Sequence, residues 1–306
     1  MGDFYGLRTD TISNNIVSIE YLLDAGPRIV RLYYKGANEN LLAEVPERYH
    51  ETVFGKYYFR GGHRLWHAPE DILRTYIPDN DPITITKDSE NVIFTQPVEV
   101  ATGIQKFIQV TLSPNAAKVT VDHTLKNAGL WPVKLSAWAL TQFPLGGIAI
   151  FPQNTGTFDT AGLLPNRNLS LWSYASVNDP RLSMADDFIT IKALPSLPPL
   201  KIGYANDAGW IAYIRNSLLF IKRFPPLINQ SYPDLGCNVE SYCGDAFIEL
   251  ESLSPLTLVD PGQSLHHIET WEILHSDNPS DNLEDVRQPQ KAHGLPPLLS
   301  LNRPGR

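Results

Sequence analysis

Two cysteines in 306 residues leave no material for a disulfide framework or a cysteine-built zinc site. Cys237 and Cys243 stand six apart, and a bridge between them is not the expected state of a cytosolic chain. Charged residues make up only 19% of the chain while aromatics reach 10%, a balance that excludes typical disorder. No uninterrupted apolar run approaches the ~20 residues that a membrane helix needs. The first ten residues carry no basic flank leading into an apolar stretch, so no secretory signal is read there. Excess positive charge is also missing. A formal net charge of −8 gives no basic surface for a sequence-independent grip on nucleic acid. There is no Gly-rich phosphate loop, no dinucleotide fingerprint and no Gly-x-Ser-x-Gly elbow, so nucleotide chemistry and serine esterase chemistry are not expected. The expectation is a cytoplasmic protein that meets neither membrane nor nucleic acid.

Long helical patterns are absent too. In their place, 25 prolines and 20 glycines punctuate the chain at short intervals. The apolar runs between them are four to nine residues long and rich in β-branched and aromatic residues. Strands are expected at 15–23, 28–34, 83–87, 91–95, 104–112, 117–126 and 133–141. Further strands are expected at 169–172, 201–205, 209–215, 218–223, 237–243, 246–252 and 266–274. The run 117–126 is the clearest: Val119, Val121, His123 and Leu125 fall on one face and polar residues on the other. The turn Asn127-Ala128-Gly129 makes 133–141 its expected antiparallel neighbour. Short helices are expected only at 41–45 and 180–185. About fifteen strands with almost no helix predict an all-β fold, a large antiparallel β-sandwich or barrel. No fixed repeat and no linker divides the chain. One domain is therefore expected over residues 1–275, followed by a polar, Pro-rich tail at 276–306.

The densest concentration of chemistry is Phe59-Arg60-Gly61-Gly62-His63-Arg64-Leu65-Trp66-His67-Ala68-Pro69-Glu70. Gly61-Gly62 frees the backbone to bend or to approach a ligand. Trp66 offers a flat plate to a sugar ring, and Arg60 and Arg64 can donate forked hydrogen bonds. His63 and His67 can act as acid or base near neutral pH. Their plainer role is to be hydrogen-bonded loop histidines that orient a turn. Glu249 and Glu251 stand two apart on an expected strand and so share a face, where mutual repulsion raises a pKa if the face is buried. The alternative is a solvated strand face. Glu240 is a weaker carboxylate of the same kind. His123 lies on the apolar side of its strand and reads as a satisfied core histidine. No group has the close, fixed spacing of a zinc signature, so no metal is assigned.

Taken in order, several short segments resemble the galactose mutarotase-like superfamily of aldose 1-epimerases and hexose-6-phosphate epimerases. They are Ala25-Gly26-Pro27-Arg28-Ile29, Asn40-Leu41-Leu42, Phe59-Arg60-Gly61-Gly62, Thr124-Leu125-Lys126-Asn127-Ala128-Gly129, Phe247-Ile248-Glu249-Leu250-Glu251, and Pro261-Gly262 followed by Trp271. The likeness runs over residues 12–274. Gly-Gly-His-Arg-Leu-Trp is similar to an uncharacterised branch. The resemblance implies an antiparallel supersandwich with a sugar groove on its concave face and cofactor-free interconversion of anomers. By position it makes Glu251 the base, Glu249 its alternate, and Arg60 a substrate ligand, with Trp138 near the place of the acid. The family sets a histidine on the strand after the Asn-x-Gly turn; here 135–143 has none, so His63 or His67 is the expected acid, from the opposite wall. Two other readings stay open: a non-catalytic sugar-binding protein, and a lyase or hydrolase whose Arg60 and Arg64 hold an acidic glycan. A small carbohydrate is the expected partner in each, with a monomeric or homodimeric protein.

Overall fold

A computed structural model describes residues 1–37 and 39–275, and the Pro-rich stretch 276–306 lies outside the described residues. The backbone is built of strands, with one four-residue helical turn at Pro233–Gly236. Two large antiparallel sheets hold almost all of them. The first runs, edge to edge, Gly2–Phe4, Leu7–Ser13, Val17–Leu22, Arg28–Tyr34, His63–Ala68, Val133–Pro144, Phe247–Leu253, Val239–Cys243, Leu200–Tyr204 and Ser170–Leu171, with Thr257–Val259 added beside Val133–Pro144. The second runs Leu182–Met184, Phe188–Lys192, Ile148–Pro152, Trp210–Arg215, Leu218–Arg223, Ser264–His275, Lys118–Asn127, Ile104–Leu112, Asn91–Thr95 and Thr84–Lys87. A separate hairpin pairs Glu44–Thr52 with Gly55–Gly61. No helix of the described residues is long and apolar enough to cross a membrane.

The alternation expected at 117–126 is real. Val119, Val121, His123 and Leu125 are buried between the sheets, while Thr120, Asp122, Thr124 and Lys126 are half-buried. Its expected neighbour is different. Lys118–Asn127 pairs with Ile104–Leu112 and Ser264–His275, and the turn at Asn127 carries the chain across to Val133–Pro144 in the other sheet. Asn127 fastens that crossing by donating to the carbonyls of Trp131 and Val259. Neither expected helix forms: 41–43 is a bend that leads into a strand, and 180–185 is a turn and a short strand. Glu44–Thr52 begins inside 41–45, and Leu182–Met184 pairs with Phe188–Lys192. In both places a neighbouring strand satisfies the backbone groups that a lone helical turn leaves open.

Three central strands of the first sheet are buried on both faces: His63–Ala68, Phe247–Leu253 and most of Val133–Pro144. Their inner face packs on the second sheet through Leu65, Ala137, Phe143, Ile248 and Leu250. Their outer face carries a separate aromatic cluster of Trp66, Trp138, Leu140 and Leu253, covered by Tyr57, Phe59 and Tyr76. Gly61 and Gly62 make this possible. A Cβ on Gly61 would stand 1.9 Å from the Ala43 carbonyl oxygen, and one on Gly62 the same distance from that of Ile29. Both have positive φ, so the hairpin doubles back tightly into the sheet it covers.

Candidate functional site

Strand register decides which sequence candidates meet. Arg64 lies opposite Leu140, Leu140 opposite Glu251, Glu251 opposite Glu240, and Glu240 opposite Gly203, one row across five strands. Beside it, Trp66 faces Trp138, and Gln142 faces Glu249. Because side chains alternate along a strand, Arg64, Trp66, Trp138, Glu240, Glu249 and Glu251 all lie on the outer face of the first sheet. Gly203 leaves room for this: a Cβ there would stand 3.1 Å from Glu240 Cγ and 2.8 Å from Cys237 Sγ.

The contacts are short. Arg64 Nη2 donates to Glu249 Oε1 at 2.7 Å, and Gln142 Nε2 donates to the same oxygen at 2.8 Å. The Arg64 guanidinium lies 4.3 Å from the Trp66 ring. Trp138 Nε1 donates to Glu251 Oε2 at 2.8 Å. Lys201 Nζ stands 2.9 Å from Glu240 Oε2 and 3.5 Å from Glu251 Oε2. The same ammonium is sandwiched between the rings of Trp138, at 4.6 Å, and Trp172, at 4.5 Å. Pairing of Glu240's strand with Glu251's strand is interrupted between Glu240/Glu251 and Cys243/Ile248, and within that gap Ser241 Oγ donates to the Glu249 carbonyl.

Burial sets the electrostatics. Glu240 and Glu251 are both fully buried. Burial pushes Glu251 up to about 7, against the pull of Lys201, the Trp138 N–H and Arg64. Glu240 is driven well above the carboxylate range by burial and by the charges of Glu251 and Asp234, with Lys201 alone opposing. Burial would discharge Lys201, but Glu251 and Glu240 hold it firmly protonated. The pair therefore keeps a proton near neutrality. Glu240, without an indole or guanidinium partner, is its seat, and Glu251 is the carboxylate. Several polar atoms of this face have no hydrogen-bond partner among the described residues: Arg64 Nε and Nη1, Gln142 Oε1, Glu240 Oε1 and Glu251 Oε1. Unpaired buried groups are costly, and so many on one face mark a place for a polar ligand. Tyr174, exposed at the solvent edge, senses the charges of Lys201, Glu251 and Glu70. The larger open cavities lie elsewhere. One of about 820 Å³ runs past Gln153, Arg167 and Asp186 and holds no such cluster.

The structure separates the two expected histidines from the glutamates. The segment 63–68 is a strand rather than a loop, so His63 and His67 point away from Arg64 and Trp66, into the interior between the sheets. His63 Nε2 lies 2.7 Å from His123 Nε2, and its Nδ1 lies 2.9 Å from Thr141 Oγ1. His123 Nδ1 faces the His267 carbonyl at 2.8 Å and therefore carries its proton. That makes His123 Nε2 the acceptor and His63 Nε2 the donor, with both rings neutral. Burial lowers both in pKa, His63 well below the ordinary histidine range. His67 lies 3.6 Å from Glu99, which Lys106 holds at 2.5 Å. Arg60 sits under the hairpin, tied to Asp79 at 2.8 Å and Asn80 at 2.5 Å. Of the two forks expected to hold an acidic glycan, Arg60 is engaged by Asp79 and Asn80, whereas Arg64 meets Glu249 through Nη2 alone. Cys237 and Cys243 are free and buried, and burial raises their thiols to about 12 and about 11.

His63, His123 and Glu269 place metal-capable atoms within 4.8 Å of one another. Lys222 Nζ already stands 2.9 Å from Glu269 Oε1, where a cation would sit, and Ser252 and Trp271 donate to the same carboxylate. This is a hydrogen-bond network suited to protons rather than to a second positive charge. Lys201, Gln142 and Trp172 were not among the sequence candidates. Lys201 had a signal: it is the one charged residue in the otherwise apolar strand Leu200–Tyr204.

No family model and no curated protein matches this sequence. Solved structures do match its fold. A galactose mutarotase-like protein from Lactobacillus casei superposes with a TM-score of 0.59 at 12% identity, over 87% of this chain and 100% of that one. A galactose mutarotase related enzyme from Lactobacillus acidophilus gives 0.58 at 10% identity, over 89% and 100%. A TPR-domain containing protein from Parabacteroides distasonis gives 0.60 at 15% identity over 90% of this chain, which spans only 48% of that protein's length. The architecture is the galactose mutarotase-like β-sandwich.

Proposed function

We propose that the outer face of the first sheet binds a sugar ring and interconverts its anomers, with Glu251 as general base and Glu240 as general acid. The observation that supports this most is the cross-strand pair itself. Two buried carboxylates share one ammonium, each with an oxygen left unpaired. Ring opening needs one group that takes a proton and one that gives it, both with pKa values near the operating pH. Glu251 removes the proton from the anomeric hydroxyl. Glu240 delivers its proton to the ring oxygen as the C1–O5 bond breaks. The products are an open-chain aldehyde, a neutral Glu251 and an ionised Glu240. Rotation about C1–C2 and the reverse transfers close the ring as either anomer. Lys201, fixed between two indoles, stays charged throughout and offsets the negative charge as it moves from one glutamate to the other. Trp66 and Trp138 supply apolar surface for the C–H face of the ring. Entry requires the segment bearing Trp172 and Tyr174 to move, because both glutamates are shut off from solvent beneath it.

Two-dimensional proton exchange spectroscopy on a panel of aldoses tests the proposal. Exchange cross-peaks between α and β anomers should grow with the protein and vanish in Glu251→Gln. Sugar binding without faster exchange would sink the catalytic reading and leave a sugar-binding protein on the same fold.

A further inference from the structure

We infer that the sugar this face accepts carries an amino group and bears neither phosphate nor carboxylate. The inference rests on the proposed function and goes further by naming the charge of the ligand. Four acidic residues, Glu70, Glu240, Glu249 and Glu251, surround the face, against two bases, Arg64 and Lys201. Both bases already touch carboxylates: Arg64 meets Glu249 at 2.7 Å through Nη2, which leaves Nε and Nη1 for ring hydroxyl oxygens, and Lys201 meets Glu240 at 2.9 Å and Glu251 at 3.5 Å. Arg60, the other fork in the neighbourhood, is held by Asp79 at 2.8 Å. An anionic sugar would bring more negative charge into a buried, acid-rich site whose two cations are already offset by the carboxylates they touch.

A cation finds the opposite. Glu240 Oε1, Glu251 Oε1 and Gln142 Oε1 are buried acceptors without donors among the described residues. One ammonium supplies three donors and a charge, whereas a hydroxyl supplies one donor. The face already demonstrates the chemistry it favours: it holds the Lys201 ammonium between two indole rings and against two carboxylates. The proton kept by the glutamate pair is a substitute for a missing positive charge. A bound ammonium beside Glu240 offsets the charge that this carboxyl acquires when its proton passes to the ring oxygen.

Isothermal titration calorimetry at pH 7 tests this with five probes: a neutral hexose, its 2-amino-2-deoxy analogue, the N-acetylated form of that analogue, the hexose 6-phosphate and the hexuronate. The amino sugar should bind about tenfold or more tighter than the neutral hexose. The N-acetyl form should lose that advantage, and the two anionic sugars should bind weakest. Glu240→Gln, checked for folding by circular dichroism, should abolish most of the amino preference. An amino sugar no tighter than its N-acetyl form, or a phosphate or uronate that equals it, overturns the inference, while faster anomer exchange of the neutral hexose still supports the proposed function. Binding by none of the five overturns both.

Discussion

Glu240 and Glu251 face each other directly across two antiparallel strands, on the outer face of the sheet rather than in the core between the sheets. Two carboxylates in that position repel, and among the described residues only Lys201, 2.9 Å from one and 3.5 Å from the other, bridges them. Replacing Lys201 with Met keeps the length and removes the charge. Both glutamates should then hold protons at pH 7, and the base should be lost. We expect anomer exchange to fall by about 10² or more, with activity partly recovered at higher pH. An unchanged rate at pH 7 would show that the ammonium plays no part.

The Trp138 indole N–H is the one neutral hydrogen bond that favours the charged form of Glu251. Trp138→Phe removes the donor and keeps most of the ring. The carboxyl should become still harder to ionise than its present value of about 7, so the rising limb of the pH–rate profile should move to higher pH. The maximal rate should change little. A limb that stays in place would assign that ionisation to another group.

Linkage gives a stability signature for the same group. The pKa of Glu251 rises from the ordinary 4.5 to about 7 on folding, so the folded protein binds more protons than the unfolded chain between those values. This contribution is present below pH 4.5 and is lost as pH rises through about 7. Buried neutral His63, His123 and His267 act in the opposite sense: their folded pKa values lie below 6.5, so their contribution is present above 6.5 and is lost as pH falls from there through the folded values. Comparing Glu251→Gln with the parent separates the two. The variant's melting temperature should gain on the parent's as pH goes from 5 to 8. Parallel curves would mean that Glu251 is not perturbed.

How much of this was legible in the sequence follows from which surfaces each strand meets. Lys118–Asn127 has one dry face and one wetter face, so it alternates visibly and was placed to within a residue. His63–Ala68 is buried on both faces, with polar groups satisfied on each, so no alternation marks it as a strand and the histidines could not be assigned to a side. The parity of Glu249 and Glu251 could be read because they share one strand. The row from Arg64 through Leu140 and Glu251 to Glu240 could not, because it depends on the register of strands far apart in sequence. The Gly61-Gly62 pair was visible, but what it approaches is the chain's own carbonyls rather than a ligand.

Those carbonyls make Gly62 a sharp test of how the aromatic cover is held. A methyl at Gly62 would meet the Ile29 carbonyl oxygen at 1.9 Å, on a backbone with φ of +72°. Neither relaxes without separating the strand His63–Ala68 from Arg28–Tyr34, which pair at Arg28/Arg64 and Ile29/His63. Gly62→Ala should cost about 3 kcal/mol or more, seen as a lower urea midpoint. A loss under about 1 kcal/mol would mean that the chain bends differently there.

Asp79 anchors the cover from the other side. Its two oxygens accept from Arg28 at 2.7 Å and Arg60 at 2.8 Å, and these two guanidiniums hold it down at about 2 although burial would raise it. Arg28 also donates to the Phe59 carbonyl and to Tyr57 Oη, which in turn accepts from Trp66 Nε1 at 2.7 Å. A chain of contacts therefore runs from a buried carboxylate to the indole beside the glutamates. Asp79→Asn leaves two buried guanidiniums facing a neutral amide, and removing one partner of a buried ion pair costs about 3–5 kcal/mol. The loss should be largest at neutral pH and should shrink as acid protonates Asp79 in the parent, so urea midpoints of parent and variant should converge toward pH 2. Tryptophan fluorescence should report loosening at Trp66 at denaturant concentrations below the main transition. If the two proteins keep a constant gap in midpoint over the whole acid range, the Asp79 charge is not what secures the cover, and its role reduces to packing.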